Sequence, residues 1–144
     1  MTLTLVNKTS TRFAEAAFLT FAPTQHPGGG WAIDKLGEWV SPLSVADGGS
    51  QGLSLVNSGM LYTCGSTCGM MFVRSLDAGV VKFGDLLPFP TPVHGGPDLR
   101  PGVHFLLHDN FWNTNYVFWW PYHTKSGVNQ ANLVYRFGVE FYTG

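Results

Sequence analysis

Charged residues are scarce in this chain of 144 amino acids: they make up 12% of it, against about 25% in an ordinary soluble domain. So few ions cannot cover a free surface generously, and one large covered face is expected. The eight lysines and arginines are scattered and the formal net charge is −1, which leaves no basic footprint for a phosphate backbone and excludes a nucleic-acid partner. Long hydrophobic runs are missing as well. None approaches the roughly 20 apolar residues of a membrane-spanning helix, so no membrane partner is expected. A secretory leader is not signalled either: Met1 is followed at once by the strand-like Thr2-Leu3-Thr4-Leu5-Val6, without a basic region or a small-residue cleavage site. So abrupt a start suits an excised or truncated piece of a larger protein.

Cysteine is limited to Cys64 and Cys68. Two thiols with no histidine close in sequence fall short of the four ligands of structural zinc, so neither metal nor cofactor is expected. A disulfide closing a short hairpin loop and a pair of free thiols both fit, and so short a loop gives little entropic stabilisation. Gly28-Gly29-Gly30 is not followed by the lysine, the Ser/Thr and the helix that a phosphate cradle needs. No segment shows a sustained helical period, and no internal repeat divides the chain.

What the chain does contain is aromatic surface, 15% of its residues, distributed over short alternating segments. Thr2 to Lys8 and Arg12 to Phe21 read as strands, and Trp31 to Val40 as two short strands about a tight Leu36-Gly37 turn. Leu53 to Val56 with Met60 to Thr63 predicts a hairpin about Asn57-Ser58-Gly59. Met70 to Asp77 pairs back across the cysteine loop, and Val80 to Phe83 is a shorter strand. Prolines from Pro88 to Pro101 then mark an irregular connection. From Val103 on, Val103, Phe105 and Leu107 alternate with His104, Leu106 and His108. The two histidines stand about 13 Å apart by the rise of a strand and cannot share a metal ion. Leu133 to Tyr142 is the cleanest alternation in the chain. The sum is one all-β domain over residues 1–144, an antiparallel two-sheet β-sandwich of about nine or ten strands, with barrel closure as the alternative.

Candidate functional residues concentrate in Asn110 to Tyr122. Read as a strand entered from a polar loop, this stretch puts Tyr116, Phe118, Trp120 and Tyr122 on one face and Asn113, Asn115, Val117 and Trp119 on the other. The amides of Asn113 and Asn115 donate and accept, and the indoles of Trp112 and Trp119 offer stacking faces, which suits a neutral polyhydroxylated ligand or a neighbouring domain. The plainer alternative is that the amides satisfy the loop backbone and Trp119 fills a core. Glu15 shares the greasier face of its strand, and a buried carboxylate needs a cation. Arg12, Lys35 and Arg136 are the candidates, and Arg12–Glu15 is the expected structural ion pair.

Four motifs carry a resemblance: Asn7-Lys8-Thr9-Ser10-Thr11-Arg12-Phe13-Ala14-Glu15-Ala16, Asp34-Lys35-Leu36-Gly37, Ser75-Leu76-Asp77-Ala78 and Asn110-Phe111-Trp112-Asn113-Thr114-Asn115-Tyr116. In this order they resemble the region near the C-terminus of large, uncharacterised glycosidase-like proteins, themselves similar in architecture to the family 38 α-mannosidases. The resemblance runs from Leu5 to about Tyr122. It implies a C-terminal β-sandwich packed on an upstream catalytic barrel that supplies the nucleophile, the acid and any metal ligands. The chain departs from that pattern at Asn113, where a glycine is usual, and near Gly52 and Ser54, where histidines are usual. The expected function is therefore a non-catalytic module of a carbohydrate-active enzyme, with a carbohydrate or the adjacent catalytic domain as partner, and Trp112, Asn113, Asn115 and Trp119 on the contacting surface. Two alternatives differ in class: a small autonomous glycoside hydrolase or lyase using Glu15 with Asp34 or Asp77, and a lectin-like or subunit-interaction module.

Overall fold

A computed structural model describes residues 1–9, 14–46, 52–65, 68–87, 96–111, 118–120 and 130–143, and for Thr9, Asn110, Phe111, 118–120, Gln130 and Ala131 the backbone alone. Eleven strands and no helix are found among them. The larger sheet is ordered β1 (Thr2–Thr9), β11 (Gln130–Tyr142), β7 (Met70–Ser75), β6 (Gly59–Thr63), β3 (Gly30–Lys35), β4 (Glu38–Val40). The smaller contains β5 (Leu53–Leu55), β8 (Val80–Phe83), β9 (Val103–Phe111) and β10 (Phe118–Trp120), with β2 (Glu15–Phe21) paired to β9. Every pairing among them is antiparallel, so the expected sandwich is the observed one.

Alternation builds the core. Trp31 and Ile33 of β3, Met60 and Tyr62 of β6, Val73 of β7 and Tyr135 and Phe137 of β11 turn one face of the larger sheet onto Val81, Phe83, Val103, Phe105 and Leu107 of the smaller. Phe105 and Phe137 meet edge to face across the layers, their centroids 5.3 Å apart. Such pairs add about 0.5–1.5 kcal/mol to the burial itself.

The expected hairpin of β5 with β6 does not form. β5 pairs with β8 in the smaller sheet, while β6 lies between β3 and β7 in the larger. Asn57-Ser58 is thus a crossing between layers, and Asp34 at the end of β3 holds it. Its carbonyl accepts from the Asn57 amide at 2.9 Å, and its carboxylate accepts from the Ser58 amide at 3.2 Å and from the Ser58 hydroxyl. A short sequence gap suggested a hairpin; a buried carboxylate on another strand decided otherwise.

β9 is the centre of the smaller sheet. Ala17 faces His108 but Phe18 faces Leu106, so Leu107 is one residue too many, a β-bulge. Before the bulge, Phe105 sits on the core side opposite Leu19. Beyond it, His108 takes that side opposite Ala17, and Asp109 falls on the outer side opposite Ala16. β9 also continues to Phe111, so Asp109, Asn110 and Phe111 finish this strand and do not open the next. Both β2 and β10 pair with residues 109–110, which places them on opposite edges of β9; β8 shares the β10 edge further back, at residues 103–105.

Candidate functional site

The three carboxylates proposed for catalysis are all engaged structurally. Glu15 is half-buried and receives the Lys8 ammonium at 2.5 Å, so β1 supplies a partner among the described residues; Arg12 lies outside them. Asp77 accepts two hydrogen bonds from the Arg136 guanidinium, at 2.8 and 2.9 Å, and one from the Arg136 amide at 2.7 Å. These bonds hold its carboxyl below the usual range. The Ser58 hydroxyl and the Gly37 amide do the same for Asp34. A carboxylate stabilised as an anion is a poor proton donor.

The smaller sheet carries a different polar row on its outer face. Lys82, His104 and Asp109 are all buried there. The Lys82 ammonium reaches Asp85 at 2.7 Å and the Leu87 carbonyl at 3.0 Å, so the segment after β8 folds over it. His104 Nε2 lies 3.2 Å from the Gly84 carbonyl, which can only accept; Nε2 therefore carries the proton and Nδ1 accepts from the Thr20 hydroxyl at 2.7 Å. Burial lowers the pKa of this imidazole and keeps it neutral. Burial raises the Asp109 carboxyl to about 6, and among the described residues no cation offsets it. Glu15 of β2 stands opposite the neighbouring Asn110.

On the larger sheet the outer face is open and aromatic. Ile33, Met60 and Val73 turn into the core, so Ala32, Leu61 and Phe72 face outward in one cross-strand row that ends at Glu140. Trp39 of β4, opposite Asp34, reaches past β3 and β6 to set its indole 5.9 Å from the Phe72 ring at 86°. It remains 49% exposed. The Arg74 guanidinium lies 5.5 Å from the Phe72 centroid and 3.8 Å from Glu140 Oε1, and the Tyr142 hydroxyl donates to Glu140 Oε2 at 2.5 Å. Gly59 and Gly138 flank Arg74 on the neighbouring strands and leave the floor on either side without side chains.

Cavities also open among the described residues. One of about 240 Å³ opens at the end of the sandwich between Tyr62, His26, Phe141 and the Cys64–Cys68 disulfide, whose Cα atoms are 5.7 Å apart. There Phe141 keeps the core-facing parity of β11 yet is 75% exposed. Another, of about 510 Å³, lies between Leu36, Leu55 and Val56 beside Asn57.

Of the residues expected to contact a ligand, Trp112, Asn113 and Asn115 lie outside the described residues. Trp119 is placed by its backbone on β10, opposite Asn110. Trp39, Phe72, Arg74, Glu140 and Asp109 were not singled out by the sequence. Trp39 had a readable signal, since a two-residue turn at Leu36-Gly37 pairs it with Asp34 and opposes it to the core residue Ile33; its neighbours depend on sheet order, which the sequence does not display. Among the described residues no cluster of His, Cys, Asp and Glu suits a metal ion. Comparison of the chain with protein-family models, with curated proteins and with solved structures gives no match.

Proposed function

We propose that this chain is a non-catalytic β-sandwich module of a carbohydrate-active enzyme, one that supports a neighbouring catalytic domain and contacts sugar. The observation that carries the reading is the half-exposed indole of Trp39, held edge-on by Phe72 beside the paired groups of Arg74, Glu140 and Tyr142. A saccharide presents apolar C–H faces to a ring and hydroxyls to planar polar groups, and this surface offers both. The commitment of Glu15, Asp34 and Asp77 to structural partners supports a binding role. In this proposal Trp112, Asn113, Asn115 and Trp119 form a second sugar-facing element.

A second reading, an autonomous glycoside hydrolase, draws on Asp109, because a carboxyl raised to about 6 is suited to donate a proton. Glycoside hydrolysis ordinarily takes two carboxylates about 5–9.5 Å apart, and Glu15 of β2, opposite the neighbouring Asn110, is committed to the Lys8 ammonium. The test is to incubate the chain with aryl glycosides and to run it through gels containing soluble polysaccharides. Retardation by at least one polysaccharide without turnover is expected. Turnover abolished by Asp109→Asn would establish the hydrolase instead, and passage unretarded through every gel would overturn the binding role.

A further inference from the structure

We infer that the outer face of the larger sheet binds an uncharged oligosaccharide lying across the strands, stacked on Trp39 and hydrogen-bonded by Arg74, Glu140 and Tyr142; this rests on the saccharide reading above. Length comes first. From β4 to β11 the face crosses β3, β6 and β7, four spacings and on the order of 19 Å, which suits a chain of sugars and exceeds one ring.

Charge comes second. Arg74 and Glu140 face each other at 3.8 Å and Tyr142 donates to the same carboxylate, so the polar groups cancel one another and are already oriented. A surface so neutralised matches a polyol better than an anion or a cation.

The floor supplies the third observation. Gly138 sits in the interior of a thirteen-residue strand, where glycine is disfavoured. It does not have a positive φ, and the nearest heavy atom to an added Cβ would be Arg74 Cβ at an ordinary 3.7 Å. Neither backbone conformation nor packing demands a glycine here. What the missing side chain leaves is open space beside Arg74, in line with the stacking ring.

The experiment titrates the chain by calorimetry with mono-, tri- and hexasaccharides of β-1,4-linked glucose, xylose and mannose and of α-linked mannose and glucose. At least one hexasaccharide is expected to bind about tenfold or more tightly than its monosaccharide. Trp39→Ala and Gly138→Val are expected to weaken it at least about tenfold while thermal unfolding stays cooperative, and Trp39→Phe to retain part of the affinity. Hexasaccharide binding unchanged by Trp39→Ala and lost in Trp112→Ala or Asn115→Ala would overturn this site and leave the saccharide reading standing. Failure of every saccharide to bind would overturn both. Concentration-dependent dimerisation in light scattering, abolished by Trp39→Ala, would show that a second copy covers the face and would overturn the inference.

Discussion

Tyr135 of the larger sheet donates its phenolic hydrogen to the carbonyl oxygen of Leu107 in the smaller one. Leu107 is the extra residue of the β9 bulge and faces no residue on β2, β8 or β10. A bulge leaves its extra residue outside the ladder, and here a side chain from the opposite layer satisfies it. Tyr135→Phe keeps the ring and strands the buried carbonyl. A loss of about 1–3 kcal/mol in urea unfolding is expected. Burial also raises the Tyr135 hydroxyl from 10.0 to about 12. The folded state therefore holds this proton longer than the unfolded chain, so its contribution is complete below pH 10 and is lost as the pH rises through 12. Tyr135→Phe is expected to flatten stability in that window.

Asp109 makes stability depend on pH in the opposite direction from Asp34 and Asp77. Its folded value of about 6 lies above the ordinary 3.8, so the folded state binds the proton more tightly. The associated stability is present below pH 3.8 and is lost as the pH rises through 6, a swing on the order of 3 kcal/mol. Asp34 and Asp77 are depressed, so their contribution is present above the ordinary carboxylate value and is lost as the pH falls through their folded values. Asp109→Asn is expected to level the urea midpoint between pH 4 and 6.5, to raise stability at pH 7 and to leave the acid limb unchanged. A midpoint that still falls between pH 4 and 6.5 in the variant would assign that slope to another group.

Lys82 is buried while its partner Asp85 is exposed, so the two halves of this ion pair respond differently to removal. Lys82→Met replaces the cation by apolar volume and is expected to change stability by less than about 1 kcal/mol. Asp85→Asn leaves the ammonium with the Leu87 carbonyl and is expected to cost about 1–2 kcal/mol, less than a fully buried pair because solvent screens Asp85. Chemical denaturation of the two variants side by side reads the order directly. Equal losses would mean that the ion pair itself, broken in both variants, is what stabilises.

The legibility of the fold follows the range of the interaction that decides each element. β3 and β4 about Leu36-Gly37, and β6 with β7 across the cysteines, are local pairings and were readable. The β5–β6 hairpin failed because the Asp34 hydrogen bonds that direct Asn57 and Ser58 come from more than twenty residues away. Glu15 was recognised as a carboxylate in need of a cation, and among the described residues Lys8, across the β1–β2 connection, supplies one. At Trp39 the turn made the outward direction readable, whereas its contact with Phe72 depends on β3 and β6 standing between them.

The amino-acid sequence by itself determined an all-β sandwich, because alternation with a period of two and turn residues at short intervals are properties of neighbouring residues. It also determined a surface poor in charge and rich in aromatic rings. Only the tertiary structure decided which strands share a sheet, that a bulge at Leu107 turns Asp109 outward on β9, and that Trp39, Phe72, Arg74, Glu140 and Tyr142 meet on one face. Those outcomes depend on strand order and register, which are set by packing across the two layers and have no counterpart in sequence distance.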